Sequence, residues 1–235
     1  MKPEKKELVR EAFARFLERR IGTIRRLRLV DLDINPFLLR LLSRELKLTK
    51  ASSIIRWLVH QRFERGAVTS FGLALQDIAK IFSEGTGVEG ADVIKTKEGR
   101  HYHIQVKSGP NTVPKDMAER ITELLRSAQR RNRGSIALFG MCYGNPEQVS
   151  GIVQKYVGVD WLIGRDFWKF ISDDPKCIDE IYALAEEVSG SFRDAKGQSL
   201  EEILETKIID LTKEFEELYG KSGKAMWEKL LGCNS

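Results

Sequence analysis

The stretch that most constrains the fold is residues 90–110, which read GADVIKTKEGRHYHIQVKSGP. Two short runs rich in β-forming residues, 91–94 and 101–107, flank a turn that contains Lys-Glu-Gly. Short β-prone runs on either side of such a turn predict an antiparallel hairpin. In a hairpin the beginning of the first run lies beside the end of the second, so residues far apart in this stretch come together.

Three polar side chains meet at the open end of the predicted hairpin. Asp92 lies near the beginning of the first run, and Gln105 and Lys107 lie near the end of the second. Because strand side chains alternate between faces, Gln105 and Lys107 share one face. A carboxylate, an amide oxygen and an ammonium group on one face, with the backbone carbonyl of Val106 between them, are suited to holding Mg²⁺ against a phosphate. The alternative is an exposed hairpin whose polar residues have no chemical role.

Hydrophobic periodicity places helices on both sides of the hairpin in the sequence. Predicted helices precede it at residues 3–20, 36–47, 52–65 and 70–83. A helix at 114–132, strands at 135–143 and 158–163, and an acidic helical region at 175–231 follow it. A hairpin followed by strand–helix–strand predicts an α/β (α+β-like) fold, in which a central mixed β-sheet is flanked by helices.

We predict three regions along the chain. They are a helical N-terminal extension at 1–50, a catalytic core at 51–172 and a helical C-terminal region at 173–235 with a possible role in dimerisation. The core is the part that contains the predicted hairpin and the strands after it.

Charge is distributed unevenly along the chain. Residues 1–65 contain 17 Lys and Arg against 8 Asp and Glu, whereas residues 136–235 contain 11 against 18. A basic N-terminal half suggests contact with a polyanion such as double-stranded DNA, although a basic helix surface is the alternative. No apolar run approaches the ~18 residues that span a bilayer, and the charged N-terminus lacks a signal peptide, so we expect a cytoplasmic protein with no membrane partner.

Cysteine and histidine content offers one alternative metal site. Cys142, Cys177 and Cys233 are odd in number and widely spaced, which argues against a disulfide framework. His101 and His103 could form a zinc site with Cys142, but no CxxC or HxxxH motif accompanies them.

Several residues around the hairpin are candidate phosphate contacts. Small polar donors directly after Lys107 could hold a DNA phosphate, and an ordinary turn is the competing interpretation. The predicted DNA contacts are Ser108, Asn111, Thr112, Lys115, Lys95 and Lys97.

The same residues carry a resemblance to a known family. Asp92, twelve intervening residues and then Gln105-Val106-Lys107 resembles the PD-(D/E)XK nuclease signature. The longer string QVKSGPNT, with KDM after it and RGAVTSFGLALQ before the hairpin, is similar to the EcoO-type group of type II restriction endonucleases. The resemblance covers roughly residues 50–170 and implies a restriction-endonuclease-like sheet.

The resemblance also implies a function and roles for individual residues. It implies a homodimeric, Mg²⁺-dependent enzyme that cuts both strands of a short G·C-rich palindrome and has a cognate DNA methyltransferase. Asp92 occupies the metal-ligand position and Lys107 the catalytic-lysine position. Gln105 departs from the family pattern, which has Glu or Asp there, and Glu64 on an upstream helix could restore a carboxylate.

Two other functions remain open from the sequence. One is a structure-specific repair or junction nuclease with the same core, which would recognise DNA shape. The other is a catalytically silent DNA-binding protein in which Gln105 marks a lost active site.

Overall fold

The computed structural model describes residues 1–85, 90–111 and 113–232 of the chain. The helices within these ranges are α1 (Pro3–Arg26), α2 (Pro36–Leu42), α3 (Ala51–Lys80), α4 (Lys115–Arg131), α5 (Gly151–Tyr156), α6 (Gly164–Ser172), α7 (Cys177–Ser191), α8 (Leu200–Tyr219) and α9 (Gly223–Gly232). The strands are β1 (Val93–Lys97), β2 (Arg100–Lys107), β3 (Ile136–Met141) and β4 (Asp160–Ile163). None of these helices is both long enough and apolar enough to cross a membrane.

The four strands form one mixed sheet in the order β1-β2-β3-β4. Strands β1 and β2 pair antiparallel, and the pairs β2–β3 and β3–β4 are parallel. Lys97 pairs with Arg100, and the two residues between them, Glu98 and Gly99, both have positive φ, at 51° and 74°. Two residues in this conformation form the tight turn that matches the twist of a hairpin. The predicted hairpin and mixed α/β sheet are confirmed.

Helix α4 connects β2 to β3 and covers one face of the sheet. Its apolar side recurs at helical spacing and packs on the inward residues of β3, together with α5. The buried members from α4 and β3 are Ala118, Ile121, Leu125, Ala137, Phe139 and Met141. On the opposite face, Gly140 of β3 lies against the Phe167 ring of α6, where a Cβ atom would come within 2.3 Å of that ring.

The chain divides into two compact units. The first contains residues 1–16 and 70–191, and the second contains residues 17–69 and 192–235. The first unit holds the sheet, and the second has its own apolar core built from α2, α3, α8, α9 and the end of α1. The predicted regions 1–50, 51–172 and 173–235 stay a prediction about domains, and the compact units follow different boundaries because α1 and α3 each contribute to both.

Helix α3 corrects one expectation about secondary structure. The sequence predicts a helix that ends at Gly66 and a second that begins at about residue 70, whereas α3 runs without a break from Ala51 to Lys80. Glycine within a helix is unfavourable by about 1 kcal/mol, which is why it predicts a stop. Here the Arg20 guanidinium lies 2.8 Å from the position that a Cβ of residue 66 would occupy. Close packing at Gly66 therefore overrides the local preference.

Lys95 of β1 is held in a network of carboxylates. It is 6 % exposed, and its Nζ lies 2.8 Å from Glu84 and 2.5 Å from Asp173. Burial lowers the pKa of Lys95, but the hydrogen bonds to the two carboxylates outweigh burial and raise it. The hydrogen bond from Lys95, helped by Lys97, lowers the pKa of Asp173. The network ties the outer edge of β1 to the end of α6.

We expect Asp173→Asn to lower the free energy of unfolding at pH 6 by roughly 1 kcal/mol, a value discounted because Asp173 is half exposed. The pKa of Asp173 is lower in the folded protein, so its contribution is complete above the unfolded value of about 3.9 and is lost as pH falls below that value. Urea unfolding of both proteins at pH 6 and near pH 3.5 measures this. A difference that is equal at the two pH values would contradict the role of the Asp173 charge.

Candidate active site

Asp92 links the first two strands through its side chain. Its backbone N–H donates to the Ile104 carbonyl at 2.8 Å, directly before β1 begins. Its carboxylate oxygen Oδ2 accepts a hydrogen bond from the Val106 backbone N–H at 2.9 Å and another from Nε2 of Gln105. The structure therefore brings Asp92 and Gln105 into direct contact, as the sequence predicts for the open end of the hairpin.

The backbone direction of β2 decides which other groups face Asp92. The N–H and C=O groups of one strand residue point to the same side. Because the Val106 N–H donates to Asp92, the Val106 carbonyl also lies on that side. The Lys107 carbonyl points the other way, where it accepts a hydrogen bond from the Cys142 N–H at 3.0 Å. Of the predicted metal ligands, the Asp92 carboxylate and the Val106 carbonyl thus lie on one side of β2, and Gln105 meets Asp92 through its NH₂ group.

Lys107 and Gln105 share a face of β2, and both side chains are half-buried. The intervening Val106 is fully buried on the other face. Asp92 contacts Gln105, so the acid and the lysine lie on the same side of the sheet, at an edge that solvent reaches. An acid, an amide and an amine at one partly exposed position are able to bind a cation and a phosphate together.

Gly90, two residues before Asp92, allows the backbone to pass close to α4. It has φ +95°, and a Cβ at this position would come within 2.9 Å of the Leu124 backbone oxygen. A residue with a side chain would therefore be strained in its backbone and would also press on α4. The packing at Gly90 sets the position of Asp92 two residues later.

The residues directly after Lys107 are enclosed by neighbouring elements. The Ser108 side chain lies against α3, where a Cβ on Gly72 would be 3.0 Å from Ser108 Oγ. Gly109 is buried, and a Cβ there would come within 2.3 Å of the Tyr143 ring. The Tyr143 N–H donates to the Ser108 carbonyl at 3.1 Å, which fixes this segment beside the end of β3.

The other predicted DNA contacts after β2 are solvent-accessible where they are described. Asn111 and Lys115 are exposed, and Nζ of Lys115 lies 3.8 Å from Glu119 and 4.8 Å from the centre of the Tyr156 ring. Thr112, also a predicted contact, lies outside the described residues. Asn111 and Lys115 are thus open to solvent, and their role as DNA contacts stays a prediction.

Two of the predicted DNA contacts, Lys95 and Lys97, form ion pairs with carboxylates of the protein itself. The Lys95 ammonium is buried between two carboxylates, and Lys97 also contacts Asp173, at 3.2 Å. Ammonium groups that are already paired with carboxylates are not favoured as phosphate contacts.

Glu64 is exposed on α3, in the second compact unit, while Asp92 and Lys107 belong to the first. The role of Glu64 therefore stays a prediction.

The oxygen-bearing groups at this site fit a hard cation that retains some of its bound water molecules. Mg²⁺ takes oxygen ligands and is held by as few as one or two carboxylates. Asp92 supplies a carboxylate, Val106 a carbonyl and Gln105 an amide oxygen, provided that the amide, whose NH₂ now donates to Asp92, turns over. Across residues 1–85, 90–111 and 113–232 there is no group of three or more His, Cys, Asp and Glu side chains placed to bind a metal, and this includes the zinc alternative.

Cys142 lies beside the site but is suited to packing. Burial, reinforced by the negative charge of Asp92, raises the pKa of its thiol far above the usual value. A thiol of this kind stays protonated and is a poor metal ligand. The Cys142 carbonyl accepts a hydrogen bond from Nε1 of Trp168 at 2.7 Å, which anchors the end of β3.

Tyr143 is the residue at this site that sequence reasoning missed. It follows β3 directly, is 44 % exposed, and covers Gly109. The available signal was a polar aromatic residue at the carboxyl end of a buried strand parallel to β2, since ligands bind at that edge of parallel strands. The hydrophobic pattern instead predicts Tyr143 as the last residue of that strand.

The mixed sheet and its flanking helices are consistent with a restriction-endonuclease-like fold. A model of the family described as type II restriction endonuclease EcoO109I matches residues 3–190. The chain belongs to this family, and it is therefore a site-specific deoxyribonuclease. No curated protein matches the chain. The suspected EcoO-type resemblance and the predicted fold class are confirmed.

We expect Gly90→Ala to lower the free energy of unfolding by about 2 kcal/mol, because the new methyl group meets the α4 backbone in addition to the strain at positive φ. Gly99→Ala is a matched control, since Gly99 has φ +74° and no atom within 4 Å of its Cβ position. Urea denaturation compares the two variants. Equal losses of stability would mean that the contact with Leu124 has no effect.

Proposed function

We propose that the chain is a Mg²⁺-dependent type II restriction endonuclease that hydrolyses both strands of double-stranded DNA at a short, G·C-rich palindromic site. The observation that carries the proposal is the contact of the Asp92 carboxylate with Gln105 and Val106, the two residues directly before Lys107 in β2. Among the functions that the sequence leaves open, membership of the restriction endonuclease family favours the site-specific nuclease over the junction nuclease and the silent DNA-binding protein.

In this proposal Asp92 is the central metal ligand. The Val106 carbonyl lies on the same side of β2, and the Gln105 amide oxygen completes the protein ligands after the amide turns over. A bound Mg²⁺ would polarise the scissile phosphate and lower the pKa of a bound water. Because Asp92 already accepts two hydrogen bonds, its carboxylate is oriented before a cation or DNA arrives.

Lys107 supplies the positive charge that hydrolysis requires. Its side chain lies on the Gln105 face of β2 and is half-buried, so the ammonium group can approach a phosphate held at Asp92. There it stabilises the negative charge that grows on the phosphate oxygens and orients the attacking water. Glu64 is a further candidate acid, to be tested by Glu64→Gln.

DNA is held in this proposal by polar groups that follow the catalytic lysine. Ser108, Asn111, Thr112 and Lys115 would contact the phosphate backbone, with Lys115 the charged member. Ser108 is positioned by its contact with α3, and Asn111 and Lys115 are exposed. Lys95 and Lys97, with their carboxylate partners, are better explained as structural residues.

Cutting both strands of a palindrome calls for two active sites related by a two-fold axis. One chain provides one Asp92–Lys107 pair, so we propose a homodimer as the active form. A cytoplasmic location and a cognate DNA methyltransferase, which would protect the same sites in the host, belong to the same proposal.

The direct test is digestion of a long duplex of known sequence, started by adding Mg²⁺ to the protein–DNA mixture. The proposal predicts discrete fragments whose ends share one short palindrome. Cleavage confined to branched DNA would instead support a junction nuclease, and binding without cleavage would support a silent binding protein.

The Asp92→Asn and Lys107→Met variants should each lose more than a hundredfold in cleavage rate, because one removes a ligand charge and the other a charge on the reacting phosphate. DNA affinity measured without Mg²⁺ should change by less than a few fold. Controls with the same charge changes are Asp210→Asn and Lys213→Met, at exposed positions of α8. Retention of half of the cleavage rate by either active-site variant would exclude that residue from the chemistry.

The Gln105→Glu variant should bind Mg²⁺ more tightly. Two adjacent carboxylates repel each other without a cation and attract one strongly, so the metal-free protein should be less stable and the Mg²⁺ concentration for half-maximal cleavage should fall several fold. Thermal unfolding with and without Mg²⁺, together with cleavage at varied Mg²⁺, measures both effects. If neither quantity changes, Gln105 does not touch the metal.

A further inference from the structure

Arg20, in the second compact unit, is a buried cation. It lies in the C-terminal third of α1, and only 6 % of its surface is exposed. Its Nη2 donates to the Phe63 carbonyl at 3.1 Å, and its guanidinium lies 5.0 Å from the centre of the Phe63 ring. Its Nε–H has no hydrogen-bond partner among the described residues. The guanidinium therefore retains an unused donor in the interior.

The Arg20 guanidinium also has no carboxylate partner among the ion pairs of the described residues. Burial lowers its pKa, the charge of Arg62 lowers it further, and no carboxylate of the described residues acts in the opposite direction. A buried charge without an ionic partner is unfavourable, and charged side chains are rarely buried unless they are paired. Pairing with an anion would remove both the repulsion by Arg62 and the unused donor.

The space for this guanidinium is provided by a glycine in α3, although glycine weakens a helix. Gly66 lies in the interior of that helix, and a Cβ on it would come within 2.8 Å of Arg20 Nη1. A helix-weakening residue in this position is explained by the space that Arg20 requires. The packing at Gly66 is therefore adapted to the buried Arg20 guanidinium.

A cavity of about 120 Å³ lies beside the guanidinium. Arg20, the exposed Arg62 and Thr23, whose hydroxyl donates to the Arg19 carbonyl at 2.9 Å, line it, and the remaining wall is largely apolar. The surrounding segment, residues 17–69, contains twelve Lys and Arg against five Asp and Glu. The volume is sufficient for a tetrahedral oxyanion, and the positive charge around it favours one.

We propose that this cavity is a phosphate-binding site, in which the Arg20 guanidinium holds the phosphate group from inside and Arg62 approaches it from solvent. A guanidinium fork donates two parallel hydrogen bonds to a phosphate, and one of these comes from the Nε–H that has no protein partner. The site is built from α1, the residue after it, α3 and α8, all within the second unit, and it includes neither Asp92 nor Lys107.

The test observes the Nε–H of Arg20 directly in the full chain labelled with ¹⁵N-arginine. Inorganic phosphate is titrated at an ionic strength held constant with sodium chloride. The proposal predicts a saturable shift of the Arg20 Nε–H resonance, which the spectrum of Arg20→Lys assigns by its disappearance. A resonance that moves no more with phosphate than with chloride would overturn the proposal.

Variants give an independent measure of phosphate affinity by calorimetry. Arg20→Lys should weaken phosphate binding at least tenfold, because an ammonium group cannot provide the fork. Arg56→Lys is the matched control, since Arg56 forms a fork with Glu205 at 2.5 and 2.6 Å and lies outside the cavity. Arg62→Gln, at an exposed position, should weaken binding a few fold and provides the comparison if Arg20→Lys does not fold. Equal phosphate affinity in Arg62→Gln and the unsubstituted chain would contradict the proposal.

The phosphate group could come from DNA or from a free anion, and a second arm separates these sources. A short duplex is added without Mg²⁺ to the phosphate-saturated protein. Release of inorganic phosphate, with a new shift of the Arg20 resonance, identifies a DNA phosphodiester, and retention of bound phosphate identifies a free anion. Neither arm depends on cleavage, so failure of the proposed nuclease reaction leaves this result interpretable.

Discussion

The contact between the Asp92 carboxylate and β2 is the interaction on which the site depends. A side chain from the residue before β1 accepts hydrogen bonds from the backbone and side chain of the neighbouring strand. This contact therefore extends the pairing of β1 and β2 beyond their last backbone hydrogen bond, and it fixes the orientation of the Asp92 carboxylate. Held in this way, the carboxylate would lose little further freedom on binding the proposed cation, and preorganisation of this kind is a main source of catalytic power.

The local parts of this account could be predicted from the sequence. Alternation along β2 puts Gln105 and Lys107 on one face, and the Glu98–Gly99 turn brings Asp92 into contact with Gln105. These inferences hold because strand alternation and turn geometry depend on nearest neighbours in the chain. Family resemblance, carried by the residues after Lys107, then supplied the reaction class.

The remaining features depend on contacts between distant residues, which a single sequence does not contain. Gly66 predicted the end of a helix, but the Arg20 guanidinium, more than forty positions away, occupies the space it leaves. The sequence predicts Lys95 as a DNA contact and gives no sign that Asp173, far along the chain, forms an ion pair with it. Tyr143 acquires its place only because β3 pairs parallel to β2. Each of these is set by tertiary packing, which local propensity does not encode.

The central claim is that a divalent cation sits at Asp92, and its location is the most direct test. A crystal of the chain grown with Mn²⁺ and an uncleaved duplex would give an anomalous scattering peak at the metal. The account predicts this peak within coordination distance of the Asp92 carboxylate and the Val106 carbonyl, with Lys107 facing the adjacent phosphate. A peak elsewhere, with Asp92 still bonded only to Val106 and Gln105, would contradict it.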